Sequence, residues 1–448
     1  MTLVRYDTHG SVAVLTVDNP PVNALSPGVP KGIVEGVYRA NSDSNVQAIV
    51  LVGAGRGFIA GADIRFFSKP WPEGEEKLSH VIKSFEESPK PVVAAIHGHA
   101  LGGGLELAMS CHYRVIVPQA NVGQPEVKLG IPPGAGGTQR LPRLAGVGAA
   151  LDMIVSGDPV SAHRAQQLGI VDEVIDSELV AGAVVFATRK GLSGEAHPLA
   201  RDIAVKTDDP GIFEAKRAEI KRRARGMRAP YACIECVEAA VALPFAEGLA
   251  LEREIFEACV ASDESRAMRH VFFAERTAAK VPGVDRKAAR RSFASAGVVG
   301  AGTMGVGISM NFANAGIPVT MIEQNAEALE RGMATIKKNY AATVSKGRLT
   351  QDALEERVAR FTPSTQIEDL KQADIIIEAI YEEMPAKKEI FSRLDAIAKP
   401  DAVLTSNTSY LDVNEIAGSV PNRKGAVLGT HFFSPANVMR LLEVVRTD

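Results

Sequence analysis

The sequence predicts an α/β protein built as two successive α/β units joined by a helical stretch. Three observations carry this. Strand-length apolar runs alternate with helical patterns through the first 190 or so residues. Strand signals fade between about residues 195 and 280, where helix formers dominate. A strand–turn–helix–strand pattern then resumes near Lys287. The expected domains are therefore 1–190, a helical extension and linker over 191–286, and 287–448.

In the first unit, "VAVLTVDN" (12–19) and "VQAIVLVGAG" (46–55) are β-rich runs that end in turn residues. "PVVAAIHG" (91–98) and "HYRVIVP" (112–118) are two more. Helical patterns lie between them, as over 75–87, and "SAHRAQQLGIVDEVI" reads as a helix stopped by Gly169 and followed by a short strand. The middle stretch holds a basic run, 216–228, read as a solvated helix face.

The composition is that of a globular chain: 448 residues, 46% hydrophobic, 23% charged, net charge −3. Mean hydropathy is near zero. The lack of basic excess argues against a nucleic-acid surface. No apolar run approaches the ~20 residues of a membrane span. The N-terminus lacks an apolar signal core and "VVRTD" is no peroxisomal address, so a cytoplasmic location is expected, or a peroxisomal one in a eukaryote. Cys111, Cys233, Cys236 and Cys259 make no disulfide framework and read as small packing residues. No metal site is expected.

The chemistry begins at "ALGGGLELAM", where three glycines open an apolar helical segment carrying one carboxylate, Glu106. Glu126 follows in "VGQPEVKLGIPPGAGGTQRL". Two carboxylates in different settings are compatible with paired acid–base work, but taken alone such a pair more often marks two ordinary surface side chains. A second glycine-rich turn, "GRGFIAGADIRFF", could offer backbone N–H groups to the same oxygen as the first, as an oxyanion hole does. Asp63 there fits a local cap; Arg65 fits a phosphate contact or a solvated position equally. His97 and His99 read as packed or hydrogen-bonded histidines.

In the third region "VVGAGTMG" carries GxGxxG at Gly300, Gly302 and Gly305, after an apolar strand and before a helix. Glu323 ends the next strand, about 20 residues on, as in dinucleotide-binding units. Its carboxylate suits ribose hydroxyls and repels a 2′-phosphate, so NAD is expected rather than NADP. His431 and Glu443, on consecutive strand-like runs, suggest a proton-transferring imidazole oriented by a carboxylate.

"FIAGADI", "HGHALGGGLELAMSCHYRV", "VGQPEVKLGIPPGAGGTQRLPRL" and "SGDPVSAHRAQQLGIVDEVI" resemble, in order and spacing, the crotonase (enoyl-CoA hydratase/isomerase) superfamily. That resemblance implies a spiral of ββα turns that binds acyl-CoA thioesters. It implies an oxyanion hole from the backbone N–H groups of Ala62 and Gly103, with Glu106 and Glu126 as catalytic glutamates. "VVGAGTMG", "ADIIIEAIYEEMPAKKEIF", "SNTSYL" and "GTHFFSPANVMRLLEVV" resemble the L-3-hydroxyacyl-CoA dehydrogenase family, and imply a Rossmann-type doubly wound NAD-binding domain. There His431 would take the hydroxyl proton, Glu443 would orient it, and Ser409 would bond the substrate oxygen. Glu378 and Lys387 or Lys388 would contact the nicotinamide side. The two in this order resemble the α-type bifunctional enzymes of fatty-acid β-oxidation. Δ3,Δ2-enoyl-CoA isomerisation and a non-catalytic acyl-CoA- or NAD-binding module are the alternatives, and self-association or a thiolase partner stays open. That dehydrogenase family continues into a helical domain over the substrate, so NAD binding with little oxidation is the expectation here.

Overall fold

The computed structural model describes residues 2–67, 69–194, 196–205, 207, 209–222, 224–285 and 291–448. The expected boundary at 286 and 287, and Arg223 of the basic run, lie outside the described residues. The chain divides into two compact units, Met1–Gly283 and Val284–Asp448.

The strands of the first unit are β1 (Val4–His9), β2 (Val12–Val17), β3 (Ala48–Gly53), β4 (Val92–Ile96), β5 (His99–Leu101), β6 (Tyr113–Ile116), β7 (Asn121–Gly123), β8 (Val160–Ser161) and β9 (Glu173–Val174). A six-stranded sheet runs β1-β2-β3-β4-β6-β9, and a small one runs β5-β7-β8. The large sheet is parallel except for β1 against β2. All six residues of β3, AIVLVG, are buried, as a parallel strand covered on both faces requires. Side-chain alternation sorts the layers: Ala13, Leu15, Ile49 and Leu51 pack with Ile33, Val37 and Phe85 on one side. Val12, Val14 and Val50 meet Ala183 and Phe186 of the helix Leu179–Gly191 on the other.

The chain makes a repeated step: a strand in the large sheet, a strand in the small sheet, then a helix. β4, β5 and the helix Gly103–Ser110 form one step; β6, β7 and the short helix Pro125–Leu129 form the next. The parallel pairing of β5 with β7 matches Leu101 to Gly123. It therefore brings the residues just beyond, Gly102 and Gln124, to one edge.

The helical stretch folds into the first unit. Its helices are Ile212–Ile220, Ala229–Ala242, Phe245–Val260 and Asp263–Ala278. Phe213, Ile220, Ala229, Cys233, Ile234 and Val237 join the main core. Cys236, Ile255 and Cys259 pack on Leu129 and Ile131. All four cysteines are free and buried.

The second unit's strands are β10 (Ala296–Val299), β11 (Val319–Ile322), β12 (Phe361–Ser364), β13 (Ile375–Glu378), β14 (Val403–Ser406), β15 (Val427–Phe432) and β16 (Leu442–Arg446). Their order is β12-β11-β10-β13-β14-β15-β16. The first six reproduce the doubly wound dinucleotide-binding order, with the switch point between β10 and β13. β16 pairs antiparallel to β15. Helices cover both faces: Thr303–Asn314 and Ala326–Val344 on one, Met384–Ile397 on the other.

Candidate active sites

The first site forms where the small-sheet strands end. Gly102 adopts φ +53, and a Cβ there would lie 2.8 Å from Glu126 Oε1. Glycine thus serves both the turn and the close approach of the carboxylate. A Cβ on Gly103 would stand 3.2 Å from the Ala62 nitrogen. The isolated bridges Ile59↔Ala100 and Leu25↔Ala62 hold the second glycine turn beside the first. The two expected oxyanion donors are therefore neighbours, and a side chain at 103 would crowd them.

Glu106 and Glu126 are brought together, and both are buried. Glu106 Oε1 accepts from the N–H groups of Ala135 (2.7 Å) and Gly137 (2.8 Å). With its nitrogen turned to the carboxylate, Gln124 donates to both oxygens of Glu126, at 3.0 and 3.1 Å. Burial raises the pKa of both carboxyls above the ordinary range. For Glu126 the neighbouring Glu106 charge adds to this and the rise is large. For Glu106 the backbone donors and Arg140 oppose it.

A third carboxylate, Glu252 of Phe245–Val260, shares the same loop and is fully buried. It accepts from Gly136 N–H (2.6 Å), Thr138 N–H (3.0 Å) and Thr138 Oγ1–H (2.5 Å). Burial, then the Glu106 charge, pushes its carboxyl up to about 8. Arg140 closes the loop from beneath, donating to Ala135 O (3.1 Å) and pairing with Glu86 (2.6 Å). Sequence reading missed Gln124, Arg140 and Glu252. "GAGG" signalled a constrained loop, but nothing linear joined it to a glutamate more than 110 residues away.

Asp63 is buried and caps its own turn, accepting from Arg65 N–H (3.1 Å), the Arg65 guanidinium and Ser26 Oγ–H (2.9 Å). The Arg65 hydrogen bond holds its carboxyl below the usual range. Arg65 itself is exposed and lines a shallow cleft with Arg266, Arg269 and His270. His97 Nε2 lies 3.2 Å from Gly55 O, and His99 is exposed. Among the described residues no three His, Cys, Asp or Glu side chains are grouped to hold a metal ion. No helix among them is long and apolar enough to cross a membrane.

In the second unit, Gly300 adopts φ +110 and a Cβ would sit 2.5 Å from Ala379 O, at the switch point. A Cβ on Gly305 would lie 1.8 Å from Gly300 O, whereas one on Gly302 meets nothing within 4 Å. The third glycine is thus needed for helix–strand packing, and the second faces open space at the N-terminus of Thr303–Asn314. Glu323 follows β11 and accepts from Ala301 N–H (3.2 Å) and Asn325 N–H (3.3 Å). These residues fit a dinucleotide pyrophosphate and ribose.

The β15–β16 register sets His431 opposite Glu443, with His431 Nδ1 2.8 Å from Glu443 Oε2. Ser409 is exposed on the turn after β14, its N–H donating to Glu382 (2.6 Å). Glu378 and Lys387, expected to contact the nicotinamide side, are engaged with each other. They are sealed in as an ion pair at 2.7 Å, 0% and 1% exposed at the side chain. Glu378 also accepts from Ser406 Oγ–H and Ile380 N–H. Lys387 reaches Glu382 at 3.2 Å, so the pair braces the turn that carries Ser409. Lys388 pairs with Glu415.

The fold and site define a class: an α/β unit with paired buried glutamates beside two glycine turns, followed by a dinucleotide-binding unit with a His–Glu pair. Residues 7–199 match the enoyl-CoA hydratase/isomerase family, and residues 295–448 the 3-hydroxyacyl-CoA dehydrogenase NAD binding domain. The chain therefore carries an enoyl-CoA hydratase/isomerase domain over residues 7–199 and a 3-hydroxyacyl-CoA dehydrogenase NAD-binding domain over residues 295–448. It is 44% identical to the peroxisomal bifunctional enzyme of Cavia porcellus over 97% of this chain and 61% of that protein. The values for the Homo sapiens enzyme of that name are 44%, 98% and 61%. The chain thus spans about three-fifths of these relatives' length. An enoyl-CoA hydratase subunit I structure from Geobacillus kaustophilus is 32% identical, covering 64% of this chain and 98% of that one, with a TM-score of 0.39.

Proposed function

We propose that the first site hydrates trans-2-enoyl-CoA to 3-hydroxyacyl-CoA, and that the second binds NAD and serves oxidation of that product to 3-ketoacyl-CoA. The observation that carries the hydratase reading is the buried pair Glu106 and Glu126 beside the Ala62 and Gly103 N–H groups.

Two buried carboxyls this closely coupled share a proton more readily than they both ionise. The backbone donors on Glu106 favour its ionised form, and Glu126 holds the proton. Glu106 takes a proton from water as the oxygen bonds to C3 of the enoyl group. The C2–C3 π electrons move into an enolate whose oxygen accepts from Ala62 and Gly103. Glu126 delivers its proton to C2, and the proton on Glu106 passes back to reset the pair. The sum is addition of one water.

In the second unit the pyrophosphate would lie over Gly302 at the helix N-terminus, with Glu323 on ribose hydroxyls. Bound NAD supplies the hydride acceptor. His431, oriented by Glu443, takes the hydroxyl proton, and Ser409 bonds the substrate oxygen. The relatives' names support a peroxisomal setting in a eukaryote.

Incubating the 448-residue chain with crotonyl-CoA and, separately, a 3-enoyl-CoA tests this. Hydration of the first supports the reading. Isomerisation of the second without hydration moves the site to isomerase, and binding without turnover makes it a binding module.

A further inference from the structure

We propose that Glu252 is a positioning residue of the hydratase site, reached from the helical extension outside the matched hydratase segment. It rests on the hydratase reading above. Four successive backbone N–H groups alternate between two buried carboxylates: Ala135 and Gly137 donate to Glu106, Gly136 and Thr138 to Glu252. The loop is thereby pinned from both sides, and neither carboxylate can shift without unpairing buried donors. The family match ends at residue 199, yet this second anchor comes from Phe245–Val260.

The same helix is fitted to the loop along its length. A Cβ on Gly134 would lie 2.3 Å from Phe256, and one on Gly248 2.3 Å from Gln139 Oε1. Gly136 at φ +93 leaves room for Arg140, whose Nη1 would be 1.9 Å from a Cβ there. The backbone is thus shaped to turn alternate N–H groups outward to two different side chains. Glu252 commits its oxygens to the loop that holds Glu106, and so acts through Glu106.

Glu252 also acts on the acid of the pair through charge. Its negative form raises the Glu126 carboxyl. Where Glu252 is ionised, as pH rises through about 8, removing that charge while keeping the shape should lower the Glu126 carboxyl. A side chain that only filled space would leave it unmoved.

The test is the pH dependence of crotonyl-CoA hydration by the whole chain and by Glu252→Gln. Glutamine accepts with one oxygen only and leaves a loop donor unpaired. The expected result is a kcat lower by roughly tenfold or more with KM within about twofold, since misplacing a catalytic group costs turnover first. The kcat limb set by Glu126 should move to lower pH. Thr138→Val, which removes the hydroxyl bond to Glu252 together with the one the hydroxyl accepts from Gln139 Nε2 and keeps the backbone N–H bond, should show a smaller loss and a shift in the same direction, and it serves if Glu252→Gln does not fold. Unchanged kcat and an unmoved limb in either folded variant overturn the inference, even if thermal stability falls. If the unaltered chain does not hydrate, the hydratase reading falls and takes this inference with it. If it hydrates and the variants match it, only the inference falls.

Discussion

Three glutamates account for most of what the first unit can do, and their differences come from surroundings rather than side-chain type. Glu106 faces two backbone donors, Glu126 a glutamine amide, and Glu252 two backbone donors and a hydroxyl. All three are buried, so each prefers its proton more than a free carboxyl does. For Glu252 the sign of the stability effect follows directly. Its folded-state value is about 8, against an unfolded value of ~4.3. The native state therefore binds the proton more tightly. The stabilisation is full below the unfolded value and is lost as pH rises through about 8. Calorimetry of the first unit should show its melting temperature falling across this window, with a smaller slope in Glu252→Gln. An equal slope in both would contradict the assignment.

At the scale of elements, the glycine turns were the most legible feature of the sequence. "GGGLELA" and "VVGAGTMG" both open helices, and neighbouring residues separated their roles. The first carries a carboxylate one turn on; the second is followed by a strand with Glu323 just past its end. Less legible was the difference among the glycines themselves, because it depends on what stands opposite each one. Gly305→Ala would force a methyl against Gly300 O and should lower the melting temperature of the second unit by several degrees. Gly302→Ala enters open space, so it should leave that temperature nearly unchanged while weakening NADH binding measured by fluorescence. Equal effects of the two on stability would argue against this division. The resemblance placed Glu378 and Lys387 on the nicotinamide side, and packing adds what linear sequence could not, that the two pair with each other.

Across the whole molecule, the α/β, helical, α/β succession was readable from periodicity, since strands buried on both faces read as unbroken Val/Ile/Leu runs. What the helical stretch does was not readable. Helical periodicity reports an apolar face without naming its partner, and here that partner is the first unit's core and its active-site loop. The pairing of His431 with Glu443 likewise needed the β15–β16 register. The division into two units, each with its own core, predicts separable activities. His431→Ala should leave crotonyl-CoA hydration unchanged and abolish whatever oxidation of 3-hydroxybutyryl-CoA the unaltered protein supports, read as NADH formation. Loss of both activities together would contradict that separation.

The central claim is that Glu106 and Glu126 work on one water as a unit. The most direct measurement is kcat for crotonyl-CoA hydration in the unaltered chain, Glu106→Gln, Glu126→Gln and the double variant. Each single change should cost roughly 10²–10⁴-fold. The double variant should lose little more than the worse single, because groups acting as a unit are not additive. Losses that multiply, or single variants that retain full turnover, would contradict the account.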